Sequence, residues 1–309
     1  MALIAIRLPF CCCCACRQDG RGRAIQDDGV LAIIGVGLIG GSIGLAAKAK
    51  GLFAEVRGTA RHKSSLDTAL AAGAIDTACL EASEAARGAT LVVVATPVSD
   101  IPKYCLECAA AAREGAIVTD VGSVKAKIDA AVRPRMPKGR YYIGSHPMAG
   151  SEKRGVANAR AELLAGATCI ITPTETTDAR HSDALSEFWQ AMGMKVFRMA
   201  PAEHDAVVAD VSHLPHIVAS ALIAAVGDGA LPFGASGLRD TTRVAAGDAS
   251  LWREIIEANN NEVIASIERF ERELEKVKQK LLLGDYDGLE EYLRKAADRR
   301  RKRFNGGAS

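Results

Sequence analysis

The stretch Leu31-Ala-Ile-Ile-Gly35-Val-Gly37-Leu-Ile-Gly40-Gly41-Ser42 decides the fold. A short apolar run leads into glycines spaced as G-x-G-x-x-G, and a helical pattern follows. In such a strand–turn–helix unit, the first glycine permits the tight turn, the second lets the backbone approach a pyrophosphate, and the third lets helix and strand pack closely. The helix N-terminus adds free N–H groups and a partial positive charge. The stretch therefore predicts a dinucleotide site at Gly35, Gly37, Leu38, Ile39 and Gly40, with a purely structural glycine turn as the alternative.

Strands and helices alternate along the chain after this unit. Apolar runs predict strands from Glu55 to Thr59, from Thr90 to Ala95 and from Ala116 to Asp120, and helical patterns separate them. Such alternation is typical of a parallel sheet with right-handed crossovers. We therefore predict an α/β fold with an N-terminal Rossmann-like, doubly wound parallel sheet. Later apolar runs are expected to extend the same sheet, at Tyr142-Ile143, Thr168 to Thr172 and Lys195 to Met199.

The pattern becomes helical after about Pro201. The segment from Ala206 to Val226 is long and apolar, and Pro215 inside it is expected to kink the helix because proline lacks a backbone N–H. Further on, apolar residues alternate spacings of four and three, which predicts a coiled-coil-like seam at Val263, Ile267, Phe270, Leu274, Val277 and Leu281. The seam must pack against helices of its own domain or against a second subunit. We therefore predict a dinucleotide-binding domain at 30–200 and an all-helical domain at 201–309.

Charge and hydropathy narrow the class of partner. The 309 residues carry 39 basic and 37 acidic side chains, a formal net charge of +2. This balance argues against nucleic acid, whose partners carry strongly basic patches. No run of roughly 18 uninterrupted apolar residues is present, so we expect no membrane span and a cytoplasmic protein.

The first 29 residues differ from the rest of the chain. Five of the nine cysteines lie there, and the apolar start is too short for a secretion signal. The cluster comprises Cys11, Cys12, Cys13, Cys14 and Cys16. Metal binding and lipid attachment are open interpretations. We expect residues 1–29 to form a disordered, cysteine-rich extension, because chain termini are usually loose.

The identity of the dinucleotide depends on the end of the second strand. An NAD site usually has an acidic residue there, which accepts a hydrogen bond from the ribose 2′-hydroxyl. The chain has Gly58-Thr59-Ala60-Arg61-His62-Lys63-Ser64 and no carboxylate. Arg61 could hold a 2′-phosphate, although surface charge at a helix start is the alternative. NADP is therefore favoured over NAD, with Thr59 and Arg61 as contacts, and Thr96 and Pro97 after the strand ending at Ala95 are further candidates.

Three later segments place polar residues where a doubly wound fold binds its ligands, beyond the carboxyl ends of strands. They are Thr119-Asp120-Val121-Gly122-Ser123-Val124-Lys125, Gly144-Ser145-His146-Pro147-Met148-Ala149-Gly150-Ser151-Glu152 and Ser212-His213-Leu214-Pro215-His216. Each histidine alone could be a core or surface residue. The three histidines together with Arg243 indicate a catalytic site.

These segments, with Asp240-Thr-Thr-Arg243 and Leu251-Trp252-Arg253, resemble the motif set of the prephenate/arogenate (cyclohexadienyl) dehydrogenases, in that family's order, over about residues 30–283. The resemblance implies a nucleotide-binding domain followed by a helical substrate and dimerisation domain, and a homodimer. It also implies oxidative decarboxylation of prephenate or arogenate with NAD or NADP, in tyrosine biosynthesis. That reaction needs a proton acceptor, a carboxylate clamp and a correctly placed nicotinamide.

The resemblance also implies roles for single residues. His146 would accept the proton of the substrate hydroxyl, and Ser123 would help to orient it. Arg243 would clamp a substrate carboxylate, because its planar guanidinium can donate two parallel hydrogen bonds. His213 and His216, one helical turn apart, would face the substrate side chain, and Glu152 would close or gate the pocket.

Three other hypotheses stay open at this point. A two-domain dehydrogenase for other hydroxy acids typically has a catalytic lysine where this chain has histidines. A metal enzyme built on the three histidines would lack a carboxylate at a typical ligand spacing, so we predict no metal site. A non-catalytic NAD(P)-binding redox sensor would not need His146, Ser123 and Arg243 together.

Overall fold

The computed structural model of the chain describes residues 29–150 and 153–304, so the cysteine cluster and Glu152 lie outside the described residues. The strands within these ranges are β1 (Val30–Ile34), β2 (Glu55–Thr59), β3 (Thr77–Ala78), β4 (Leu91–Val94), β5 (Ile117–Asp120), β6 (Tyr141–Tyr142), β7 (Gly144–Pro147), β8 (Thr168–Thr172) and β9 (Lys195–Arg198). The helices are α1 (Leu38–Ala49), α2 (Lys63–Ala71), α3 (Ala82–Ala86), α4 (Ile101–Ala111), α5 (Ala126–Val132), α6 (Ala179–Ala191), α7 (Pro201–Val208), α8 (Leu214–Ala225), α9 (Ser236–Thr242), α10 (Ala249–Ala258), α11 (Asn260–Leu283) and α12 (Tyr286–Phe304).

The first six strands form one parallel sheet in the order β3-β2-β1-β4-β5-β6. Side chains of the central strand β1 alternate between two packed faces. Leu31 and Ile33 join the core on one face, and Ala32 and Ile34 join the core on the other. Burial on both faces explains why β1 and β4 lack a polar alternation. The prediction of a doubly wound sheet is confirmed, and the β1–α1 turn lies where the strand order reverses, the usual ligand position in such sheets.

The prediction that all later strands extend this sheet was wrong. Only β6 does so, whereas β7, β8 and β9 form a separate three-stranded sheet. In it, β7 runs antiparallel to β8 and β9 runs parallel to β8. An apolar run predicts a buried strand but not its pairing partner, because pairing depends on register and on the path of the connection. Trp189 of α6 anchors this sheet by donating to Ser145 of β7 at 3.0 Å.

One apolar helical segment with an interruption begins the last third of the chain. α7 ends at Val208, a π-helical turn spans Ala209–His213, and α8 begins at Leu214. The wider turn accommodates Pro215, which cannot donate to the carbonyl group four residues earlier and would clash with it. By length and composition alone the segment from Pro201 to Ala225 could cross a membrane. Three of its buried polar side chains, those of His204, Asp205 and His213, nevertheless hydrogen-bond within the chain, as expected of a helix that packs against protein.

The predicted seam lies on α11 and is packed within the protomer only at its start. Val263 is 2% exposed, whereas Leu274 and Leu281 are each 52% exposed. Leu282 and Leu283 at the end of the helix are more exposed still. An apolar stripe that its own protomer leaves uncovered is typical of a helix that packs against another subunit.

Candidate active site

The glycine turn between β1 and α1 has the geometry that a dinucleotide site requires. Gly35 has a φ of 101°, a left-handed conformation that side chains rarely adopt. A Cβ atom on Gly40 would lie 2.2 Å from the carbonyl oxygen of Gly35, so the close approach of α1 to the strand depends on this glycine. A Cβ atom on Gly37, in contrast, would meet nothing within 4 Å. Gly37 therefore borders open space rather than packed protein.

That space is a crevice of about 500 Å³ at the carboxyl ends of β1, β2 and β4. Its lining includes six of the predicted cofactor residues: Gly35, Gly37, Thr59, Arg61, Thr96 and Pro97. Leu38, Ile39 and Gly40 form the first turn of α1 beside it, and no side chain caps the N-terminus of this helix. Unused N–H groups at the start of a helix are suited to binding a pyrophosphate. The residues present fit a dinucleotide.

The residues that follow β2 carry positive rather than negative charge. Arg61 is exposed and lines the crevice, and Lys63 begins α2, where it pairs with Asp67 at 3.0 Å. Thr59, the last residue of β2, is 7% exposed and stands where an NAD site usually has its carboxylate. Arg61 is thus free of an intramolecular ion pair in the described part of the chain.

The sequence suggested that His146 lies in a loop beyond the end of a strand. In the structure it lies on strand β7 itself. Its Nδ1 atom is 2.9 Å from Nε2 of His204, which sequence reasoning missed. Burial lowers the pKa of His146 well below its usual range, and the nearby His204, Lys125 and His213 lower it further. His146 is therefore an uncharged imidazole at neutral pH, able to accept a proton.

His204 is fully buried at the start of the helical domain. Its Nδ1 atom lies 2.8 Å from Oδ1 of Asp205. The Asp205 carboxylate also accepts the backbone N–H groups of Lys125 at 2.7 Å and Ala126 at 2.9 Å. The only cue in the sequence was a His-Asp pair at a helix start, and no spacing linked it to His146. A pairing across 58 residues is a tertiary contact that local patterns do not encode.

A buried ion pair joins the last residue of β5 to the segment that follows the strand. Lys125 Nζ is 2.5 Å from Oδ1 of Asp120, and both side chains are almost completely buried. The hydroxyl group of Tyr142 donates to the other carboxylate oxygen at 2.7 Å. Burial, together with the charge of Asp120, raises the pKa of Tyr142 well above its usual range. The ion pair therefore has the additional hydrogen bond that a buried carboxylate requires.

His213 and His216 lie close to Trp252 on the helical side. Nδ1 of His213 is 3.2 Å from the Asn259 side-chain nitrogen, and the His216 ring stacks on Trp252 with 3.7 Å between ring centroids. Burial lowers the pKa of His213 to about 4 and also lowers the pKa of His216. Within the described residues, the buried Nε2 atom of His213 and Nδ1 atom of His216 have no hydrogen-bond partner.

Ser123 and Arg243, the other two predicted catalytic residues, do not contact His146 by a hydrogen bond in the described part of the chain. Ser123 is half-buried between β5 and α5, and Arg243 is exposed directly after α9. No hydrogen bond links either of them to His146 among residues 29–150 and 153–304. The same ranges contain no group of three His, Cys, Asp or Glu side chains arranged to hold a metal ion.

A doubly wound sheet with an uncapped helix at its switch point, followed by a helical domain that holds a buried imidazole, is the architecture of a dinucleotide-dependent dehydrogenase. Family models agree with this class. Residues 43–198 match the prephenate dehydrogenase nucleotide-binding domain, and residues 200–295 match the prephenate dehydrogenase dimerization domain. The chain belongs to the prephenate dehydrogenase family. It is an oxidoreductase whose N-terminal domain binds NAD(P).

Individual relatives and solved structures are similar over most of their length. Prephenate dehydrogenase of Bacillus subtilis is 32% identical over 277 residues, 87% of this chain and 75% of the relative. Cyclohexadienyl dehydrogenase of Zymomonas mobilis is 31% identical, over 86% of this chain and 93% of the relative. The crystal structure of Aquifex aeolicus prephenate dehydrogenase with hydroxyphenyl propionate and NAD+ has a TM-score of 0.83 at 30% identity and covers 89% of this chain and 98% of its own. The crystal structure of Synechocystis arogenate dehydrogenase has a TM-score of 0.78 at 29% identity, and the match covers 88% of this chain and 99% of that one.

Proposed function

We propose that this chain catalyses the NAD(P)-dependent oxidative decarboxylation of prephenate to 4-hydroxyphenylpyruvate, of arogenate to tyrosine, or of both. The observation that carries the proposal is the uncharged imidazole of His146, which contacts His204 of the helical domain through its Nδ1 atom. The names of the relatives support it, since they include prephenate, cyclohexadienyl and arogenate dehydrogenases.

The reaction explains why an uncharged imidazole is needed. The substrate is a cyclohexadienol with a carboxylate on the ring carbon opposite the hydroxyl-bearing carbon. When bound, the nicotinamide cofactor accepts a hydride from the hydroxyl-bearing carbon. His146 takes the hydroxyl proton as the carbon–oxygen double bond forms. Carbon dioxide then leaves, its bonding electrons make the ring aromatic, and His146 can return the proton to the phenolate oxygen.

Other residues are proposed to hold the substrate. Ser123 orients the substrate hydroxyl and His146, and Arg243 clamps a carboxylate with its guanidinium. The unpartnered ring nitrogens of His213 and His216 meet the substrate side chain, which explains buried polar atoms without a partner. Glu152 is proposed to close the pocket.

The cofactor is proposed to be NADP in preference to NAD. The crevice has Arg61 at the end of β2, and no carboxylate stands at the ribose position there. A guanidinium can donate two hydrogen bonds to a 2′-phosphate, whereas the ribose hydroxyl of NAD would lack its usual acceptor.

Turnover by the full chain tests these proposals. Absorbance at 340 nm is followed with prephenate and with arogenate, each with NAD and with NADP. We expect reduction of NADP with at least one substrate, and its near-complete loss in His146→Asn but not in the control His181→Asn. Arg61→Ala should raise KM for NADP much more than KM for NAD, while the exposed Arg113→Ala changes neither. Cofactor binding without reduction by either substrate would contradict the proposed reaction.

The assembly is proposed to be a homodimer formed through the C-terminal helices. The matching family model is a dimerization domain, and apolar side chains of α11 are left uncovered within one protomer. We also propose a cytoplasmic location, in keeping with a biosynthetic role on small, diffusible substrates.

A further inference from the structure

A chain of hydrogen bonds runs behind His146 from one domain into the other. His146 on β7 contacts His204, which contacts the Asp205 carboxylate, which accepts two backbone N–H groups at the start of α5. His204 and Asp205 are 0% and 2% exposed, so water does not compete for these bonds. The arrangement crosses the domain junction twice.

The direction of each bond follows from the acceptor at its end. A carboxylate only accepts, so Nδ1 of His204 must carry the proton and donate to Asp205. Burial lowers the pKa of His204, so its ring is neutral and its Nε2 atom has a free electron pair. Nδ1 of His146 must then donate to His204 at 2.9 Å. The Nε2 atom of His146 is left as the proton acceptor.

We propose that His204 and Asp205 are positioning residues that hold His146 in its Nδ1–H tautomer, so that Nε2 faces the substrate hydroxyl as the base. The proposal rests on the proposed role of His146 in turnover. Neither residue touches the substrate in this scheme. Their effect is to remove the second tautomer, in which Nε2 carries a proton and cannot accept another.

The same contacts make the base dependent on domain docking. Asp205 belongs to the helical domain, whereas Lys125 and Ala126, which orient its carboxylate, belong to the nucleotide-binding domain. Asn259 fixes the backbone at this point by donating to the carbonyl oxygen of Asp205 at 2.8 Å. The correct tautomer of His146 is therefore imposed only when the two domains are packed together.

Two substitutions separate the roles of His204. In His204→Gln the amide oxygen replaces Nε2 and still accepts from His146. In His204→Leu the acceptor is lost while most of the buried volume is kept, so neither tautomer is imposed. His181→Leu is the control for a histidine-to-leucine change, because His181 is half-buried and stacks on Tyr141 away from His146.

The tautomer is measured directly by 15N NMR of the histidine rings in the full chain without substrate. The 6 histidines are assigned by single substitution. We expect Nδ1–H at His146 in the wild type, in His204→Gln and in the control, and a tautomer mixture in His204→Leu. In steady-state assays, kcat of His204→Leu should fall by about 10- to 100-fold, with KM for substrate and cofactor little changed, and His204→Gln should recover most of it.

Several outcomes would overturn the positioning role. An Nε2–H tautomer of His146 in the wild type would do so without any variant. So would a His204→Leu protein that keeps both the Nδ1–H tautomer and full kcat, or a His204→Gln protein as impaired as His204→Leu. If the wild type shows Nδ1–H but turns over neither prephenate nor arogenate, the proposed reaction fails and the tautomer assignment stands.

Discussion

At the scale of the residue, glycines of one turn serve different purposes. Gly40 is needed for packing, since a Cβ atom there would lie 2.2 Å from a backbone oxygen. Gly37 borders the crevice, where a Cβ atom would meet nothing within 4 Å. We expect Gly37→Ala to leave the melting temperature nearly unchanged but to weaken NADP binding by about 10- to 100-fold, because the added methyl group takes the space of the pyrophosphate.

Gly40→Ala is the matched comparison, and it should lower the free energy of unfolding by about 1–3 kcal/mol through overpacking. Thermal melts and cofactor titrations of both variants distinguish the two effects. A Gly37→Ala protein that binds NADP normally would show that the pyrophosphate lies elsewhere.

Protonation of His213 links stability to pH. Burial lowers its pKa from an ordinary 6.5 to about 4, so the folded protein resists a proton that the unfolded chain takes up. Stability should therefore fall as pH drops from about 6.5 to about 4, by on the order of 3 kcal/mol at most from this group. His213→Gln should flatten that decline, measured by urea unfolding between about pH 7 and pH 4.5. The exposed His62→Gln is the control, and an equal slope in both variants would contradict the assignment.

At the scale of the element, local patterns predicted what local physics determines. β2 spans the residues expected of it, and β1 with its glycine turn was recognisable because both faces of the strand are buried and α1 must begin beside it. The pairing of β7 with β8 was not recognisable from the sequence, because antiparallel pairing depends on the path of the chain between the two strands. His204 was missed for the same reason, as its partner His146 is 58 residues away.

The interruption after α7 shows a similar limit. The sequence predicted a kink from Pro215, and the structure shows a π-helical turn at Ala209–His213 just before that proline. A π-helical turn was not predictable from the proline alone, because a proline can also be accommodated by a simple bend. The turn ends at His213, and such turns frequently accompany functional sites. The position of that imidazole is therefore a property of the helix interruption as much as of the residue itself.

At the scale of the whole molecule, part of the apolar seam on α11 is left uncovered within one protomer. Its predicted seam begins at the buried Val263 and continues to Leu274 and Leu281, each 52% exposed. Two copies of such a helix can bury their seams against each other by interlocking side chains. The family model for this region, a dimerization domain, makes a second copy of this chain the expected partner.

Charges placed in the seam should separate the two copies. Leu274→Glu combined with Leu281→Glu would force two carboxylates per chain into an apolar interface, where burying an unpaired charge costs several kcal/mol. Size-exclusion chromatography with light scattering should give a dimer for the wild type and a monomer for the double variant. Arg272→Glu, on the opposite and exposed side of the same helix, should remain dimeric and so controls for added negative charge. If the double variant stays dimeric, the seam packs elsewhere and the subunits meet through another surface, with the apolar helix α8 as the next to be substituted.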